Sequence, residues 1–173
     1  MRKGDQGVGF KEFNKLKKNH ILFLGIALTG FILDQISKII IVINLDPHQI
    51  LQVIPGFFNL VLVRNKGMAF GVFSQINSTL FHYLLLSVIV IAIAAILFFL
   101  FTLKKNQVWM GLGLSLILGG AMGNLVDRIR LGYVIDFLDF GLKSYHWPAF
   151  NLADSIVTVG TFCVLIEIIK RKS

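Results

Sequence analysis

The chain has 173 residues, 55% of them hydrophobic and 15% charged, with a formal charge of +8 and a mean hydropathy of +0.77. Too few polar residues remain to cover a water-soluble globule, so the bilayer is the expected solvent. The lone cysteine, Cys163, excludes an intrachain disulfide and any CxxC redox or zinc motif.

Segment 1–20 is basic, carrying Arg2, Lys3, Lys11, Lys15, Lys17 and Lys18. A cleavable leader would need a small-x-small site after its apolar core. The run continues instead into Asp34, so the segment is read as retained. A first span is predicted near 21–43, interrupted by Asp34 and Lys38, whose polar side chains must face protein or water because lipid offers no partner. The loop 44–78 carries β-branched and aromatic runs punctuated by Pro55-Gly56 and Asn65-Lys66-Gly67, which predicts a small β-rich element. A second span, near 82–103, contains the charge-free run Leu84 to Leu103. A third, near 108–129, carries Gly111, Gly113, Gly119, Gly120 and Gly123, small residues that let helices approach closely. These two spans form a hairpin. A second outer loop is expected at 132–149, and a fourth span near 152–169, with Asp154 at its start and Glu167 near its end.

The basic N-terminus, Lys104 and Lys105 between spans two and three, and the tail Lys170, Arg171 and Lys172 hold eleven of the 17 basic residues. The opposite loops hold only Arg64, Lys66 and Lys143. Both termini are therefore expected on the cytoplasmic side. The positive charge then reads as topology and contact with membrane lipids, and nucleic-acid binding is not expected. The chain reads as one membrane domain over 1–173, an α-helical integral membrane protein with four transmembrane helices and a small β-rich extracytoplasmic element.

An acidic residue at membrane depth costs about 2.5 to 3.5 kcal/mol on insertion scales, so each one asks for a reason. Bland reasons exist. Asp34 and Lys38 are spaced as a self-neutralising helical pair, Asn124 and Arg128 share a helix face, and Asp127 lies three residues before Arg130. Asn151 and Asp154 are placed as a capping box opening the last helix. Asp136 and Asp139 read as loop acids, and Glu167 as a snorkelling or capping residue. The topology nevertheless brings Asp136 and Asp154 to the same outer level, with Asn124, Asp127, Arg128, Asp34 and Lys38 converging nearby. Two facing carboxylates cannot both ionise easily, so one holds a proton while the other activates water for amide hydrolysis. Nucleophilic routes fit less well. Cys163 has no nearby histidine, His20, His48, His82 and His146 are scattered, and Ser37 and Lys38 are adjacent helix positions that do not face each other.

Four ordered blocks, LDQISK (33–38), RNKGMAFG (64–71), GGAMGNLVDRIRLGYVIDF (119–137) and FNLADS (150–155), resemble the signature blocks of lipoprotein signal peptidase, the aspartate-dependent type II signal peptidase of bacteria. The resemblance runs from Ile21 onward. It implies that Asp136 and Asp154 are the catalytic pair, with Asn124, Asp127, Arg128 and Asn151 in support. It also matches Asp34 and Lys38 to the polar pair of the first block, and Asn65 and Gly67 to the outer loop. Asp139 falls outside the motifs and is read as structural. The implied substrates are diacylglyceryl-modified prolipoproteins, cut before the modified cysteine, with no metal and no cofactor. A monomer in the bacterial inner membrane is expected, with Phe57, Phe58, Phe70 and Phe73 either cradling the peptide or forming an interfacial belt. The competing readings are a metal-dependent lipid phosphotransferase and a small membrane transporter.

Overall fold

The computed structural model describes residues 5–67, 79–104, 106–142 and 145–172, with side chains described from residue 19 to residue 171. Phe70, Phe73, Arg2, Lys3, Lys105 and Lys143 lie outside the described residues.

Four long helices form the body: α1 (Asp5–Asn44), α2 (Thr79–Thr102), α3 (Val108–Leu131) and α4 (Leu152–Lys172). Each contains a stretch long and apolar enough to cross a membrane, Asn19–Asn44, Thr79–Thr102, Val108–Leu131 and Leu152–Arg171. The basic segment does not end before the first span. From Asp5 it is already helical, and α1 runs unbroken for 40 residues, about twice the length that the hydrocarbon requires.

Helix α3 is the centre of the bundle, packing against α1, α2 and α4. Its glycines make this possible. A Cβ on Gly113 would stand 2.6 Å from the Gly160 carbonyl oxygen of α4, and one on Gly119 would stand 2.5 Å from the Ala27 carbonyl oxygen of α1. The helices therefore touch backbone to backbone, where dispersion and packing replace the hydrophobic drive that lipid removes. Below these contacts Phe23, Ala27, Leu100, Leu114 and Leu118 form a buried apolar cluster. Helix α2 buries only Leu85 and Leu100 among its described side chains. Its remaining apolar surface is suited to lipid.

The loops at one end of the bundle build a single antiparallel sheet in the order β1 (Leu51–Ile54), β2 (Phe58–Asn65), β3 (Val134–Leu142) and β4 (Tyr145–His146). The β-rich element expected in 44–78 is the β1–β2 hairpin, turning at Gly56 with φ 74°. The segment 132–149, expected as a loop, instead supplies β3 and β4. Gly132, at φ 78°, caps α3 in the left-handed conformation and turns the chain directly into β3. Phe137 packs with Ile41 and Leu45 from the end of α1, which seats the sheet on the bundle.

Strand β2 carries a bulge. Leu60 pairs Leu138 and Val63 pairs Asp136, so three steps on β2 match two on β3. Opposed residues share a sheet face, and one extra residue reverses the facing of everything beyond it. Asn59 therefore shares a face with Asp139, whereas Asn65, of the same parity in sequence, shares a face with Asp136.

Candidate active site

Asp154 is set by the start of α4. Its amide donates to Asn151 Oδ1 at 2.9 Å, and the Asn151 amide returns a 3.4 Å bond to Asp154 Oδ2. This is the capping box that the spacing predicted, and it points a carboxylate at the positive end of the helix dipole. Asp136 is set by β3. Its Oδ1 accepts from Asn151 Nδ2 at 2.7 Å and its Oδ2 accepts from Asn65 Nδ2 at 2.9 Å. Asn65 is itself fixed, because its Oδ1 accepts from the Gly67 amide at 2.9 Å.

Asn124, on α3, joins the two halves. Its Nδ2 donates to Asp154 Oδ1 at 2.9 Å, and its Oδ1 accepts from Asn151 Nδ2 at 3.2 Å and from Lys38 Nζ at 3.0 Å. Three asparagines thus hold two carboxylates, each with its amide orientation determined by a second partner.

Beneath them lies an ionic layer. Lys38 Nζ is 2.8 Å from Asp34 Oδ2 and 2.8 Å from Asp127 Oδ2, so with Asn124 all three ammonium hydrogens have acceptors. Asp34 Oδ1 accepts the Ala153 amide of α4 at 2.9 Å, and Asp127 Oδ2 accepts the Ile135 amide of β3 at 3.2 Å. The layer therefore stitches α1, α3, α4 and the sheet together. Gly123 leaves room for it, since a Cβ there would collide with Asp34 Oδ2. Arg128 donates from Nη2 to the Gly67 carbonyl at 2.8 Å, tying the end of β2 to α3. Gln35 was not singled out in sequence, yet its Nε2 bridges Asp127 Oδ1 at 3.1 Å and the Gly123 carbonyl at 3.3 Å. Its signal was its place in the LDQISK block, one turn from Lys38.

Asp136 and Asp154 line one cleft of about 460 Å³, together with Asn65, Ser155 and the segment Trp147–Phe150. Asp136 lies in β3, outside the spans, and is 2% exposed. Burial pushes its carboxyl up to about 6, and the Asp154 charge adds to this. The hydrogen bonds from Asn65 and Asn151 and the charge of Lys38 pull in the opposite direction without cancelling it.

Other sequence candidates fall elsewhere. Ser37 Oγ donates to the Asp34 carbonyl at 2.7 Å and Lys38 is fully engaged, so they make no nucleophilic dyad. Glu167 lies near the far end of α4 and pairs with Arg171 at 2.9 Å. Phe57 and Phe58 do not line the cleft. They pack around Phe140, with Phe58 stacked at 4.6 Å, and the aromatic lining comes from Trp147 and Phe150. Among the described residues no three His, Cys, Asp or Glu side chains gather in the manner of a metal site.

The profile of a family described as Signal peptidase (SPase) II matches residues 26–170. The lipoprotein signal peptidase of Syntrophus aciditrophicus is 42% identical over 91% of this chain and 98% of its own length. That of Geobacter sulfurreducens is 38% identical over 91% of this chain and 97% of its own. A solved bacterial membrane enzyme superimposes with a TM-score of 0.76 at 33% identity, covering 88% of this chain and 90% of its own.

Proposed function

The chain belongs to the signal peptidase II family, the multi-pass inner-membrane peptidases that remove signal peptides from bacterial prolipoproteins, and on that premise we propose that Asp136 and Asp154 hydrolyse the scissile peptide through an activated water. The carrying observation is that both carboxylates open on one cleft while three asparagine amides hold them in place.

In this mechanism Asp136 holds the proton of the pair and Asp154 is ionised. Asp154 takes a proton from water as the oxygen attacks the carbonyl carbon, and Asp136 gives its proton to the carbonyl oxygen. A neutral gem-diol results. Asp154 then protonates the departing amine nitrogen, Asp136 recovers a proton from one hydroxyl, and the dyad returns to its starting state. Both oxygens of Asp136 accept hydrogen bonds from amides. A protonated oxygen still keeps a lone pair for that bond and directs its hydrogen into the cleft. Asn65, Asn124 and Asn151 orient the carboxyls, and Arg128 fixes the Gly67 backbone beside them.

The substrate is a prolipoprotein whose cysteine carries a diacylglyceryl group, cut on the N-terminal side of that cysteine. The distribution of lysine and arginine supports cytoplasmic termini, which puts the sheet and the dyad at the outer surface. A lipid-anchored peptide would present its backbone at that level. The chain acts as a monomer bathed in membrane lipid.

The test is cleavage of a diacylglyceryl-modified prolipoprotein by the purified protein in detergent with excess chelator, beside Asp154→Asn. Cleavage by wild type alone is expected. Activity lost to the chelator and restored by a divalent cation would favour the phosphotransferase-like use of the acids. Unimpaired cleavage by folded Asp154→Asn would overturn the dyad.

A further inference from the structure

On the face of the sheet opposite the dyad, a second polar row crosses three strands. Asn59 on β2 stands opposite Asp139 on β3 and donates Nδ2 to Asp139 Oδ2 at 2.8 Å. His146 on β4 stands opposite Gly141. A side chain at Gly141 would occupy the space of the His146 ring, with a Cβ only 2.6 Å from Cε1. The missing side chain lets the ring lie diagonally across β3 toward Asp139. There Nδ1 is 2.9 Å from Oδ1 and 3.0 Å from Oδ2. Asp139 is buried, and both its oxygens are taken by N–H donors.

We propose that Asp139 and His146, oriented by Asn59, are positioning residues for the peptidase reaction, anchoring the segment Trp147–Phe150 that forms one wall of the substrate cleft.

The need for an anchor follows from length. Among the described residues strand β4 spans two and pairs β3 at Gly141 and Leu142, well short of a strand that holds itself. The chain then bows away through Pro148 and Ala149. It returns where Phe150 accepts from the amides of Phe137 and Leu138, at 2.9 and 2.8 Å, and donates to the Leu138 carbonyl at 3.1 Å. One end of the wall is therefore secured by backbone bonds and the ring stack of Phe150 on Phe140 at 5.8 Å. The other end has the Trp147 amide on the Phe140 carbonyl at 2.8 Å and, one residue earlier, the His146 contact. Without that charge-assisted bond the strand end frays and the wall moves. The residues touch neither Asp136 nor Asp154 in the hydrogen-bond pattern, so substrate binding changes and the chemical step does not.

This inference rests on the peptidase reading. Steady-state cleavage of a diacylglyceryl-modified prolipoprotein is measured for wild type, His146→Ala and His146→Asn, the last placing an amide N–H where Nδ1 stood. We expect His146→Ala to raise KM about tenfold with kcat within about twofold of wild type, and His146→Asn to recover most of the loss. His146→Phe keeps a ring over Gly141 without a donor, and carries the same expectation if His146→Ala does not fold. A wild-type KM in the folded donor-less variant overturns the inference and leaves the peptidase reading standing. No recovery in folded His146→Asn, or a fall in kcat at unchanged KM, overturns it as well. Absence of cleavage by wild type would remove the peptidase reading itself.

Discussion

Strands β2 and β3 carry two asparagine–aspartate pairs, Asn65 with Asp136 and Asn59 with Asp139, bonded at 2.9 and 2.8 Å. The chemistry of the two pairs is the same, and their surroundings differ. Asp136 faces a cleft, a second carboxylate and two amides. Asp139 faces the imidazole of His146, which supplies a donor and, when protonated, a charge. Burial beside Asp154 raises the pKa of one carboxyl, as the proposed acid role requires, whereas an imidazole partner suits the other to the proposed role of holding a strand. What separates them is the single extra residue of the β2 bulge, without which Asn65 and Asn59 would serve the same face.

The largest effect that would break this comparison is in Asp136→Asn. An amide cannot shuttle the proton, and its Nδ2 would confront an asparagine donor, so cleavage should fall by about 10²- to 10⁴-fold. Initial rates in detergent check it. If Asp139→Asn fell as far, the two pairs would not be functionally distinct. That variant is expected to stay within a few-fold of wild type, since an amide can accept from Asn59 and donate to His146.

Next in size, Asn65→Ala should lower the maximal kcat/KM by about tenfold through loss of orientation. The bond removed is one that lowers the Asp136 pKa, so the fall of activity with rising pH should move to higher pH. A pH profile of the variant checks both effects. The corresponding change on the other face, Asn59→Ala, should leave kcat within about twofold.

Stability separates the faces in a third way. The dyad rests on the ionic layer inside the bundle, whereas the Asp139 row stays within the sheet. Gly123→Ala pushes a methyl into Asp34 and should cost about 1 to 3 kcal/mol of stability along with activity. Asn59→Ala removes one donor but also a buried Oδ1 that has no partner among the described residues. Its cost should be about 1 kcal/mol or less. Thermal unfolding in detergent ranks the two.

These contrasts also mark what the amino-acid sequence could convey. Hydropathy and length located the four helices, and the glycines of α3 announced close packing. The Asn151 to Asp154 spacing spelled out its own capping box, because helix starts are local. The pairing of β2 with β3 was not legible, since it joins Asn65 to Asp136 across 71 positions and nothing in VIDFLDF names its partner. The bulge was hidden too. It falls within the aliphatic run Leu60 to Val63, where every residue suits either face and alternation carries no signal. Arg128 was legible as a supporting polar residue on the face of Asn124, yet its 2.8 Å bond reaches a backbone carbonyl, a contact that side-chain type cannot foretell.

The most direct test of the account is the pH dependence of kcat/KM for wild type and Asp139→Asn together, because this ratio reports groups of the free enzyme. With Asp136 holding the essential proton, both proteins should lose activity as pH rises through about 6, in step with the deprotonation of Asp136. Activity that rises through the same range in wild type, or a limb that vanishes in Asp139→Asn, would contradict the assignment of the proton to Asp136.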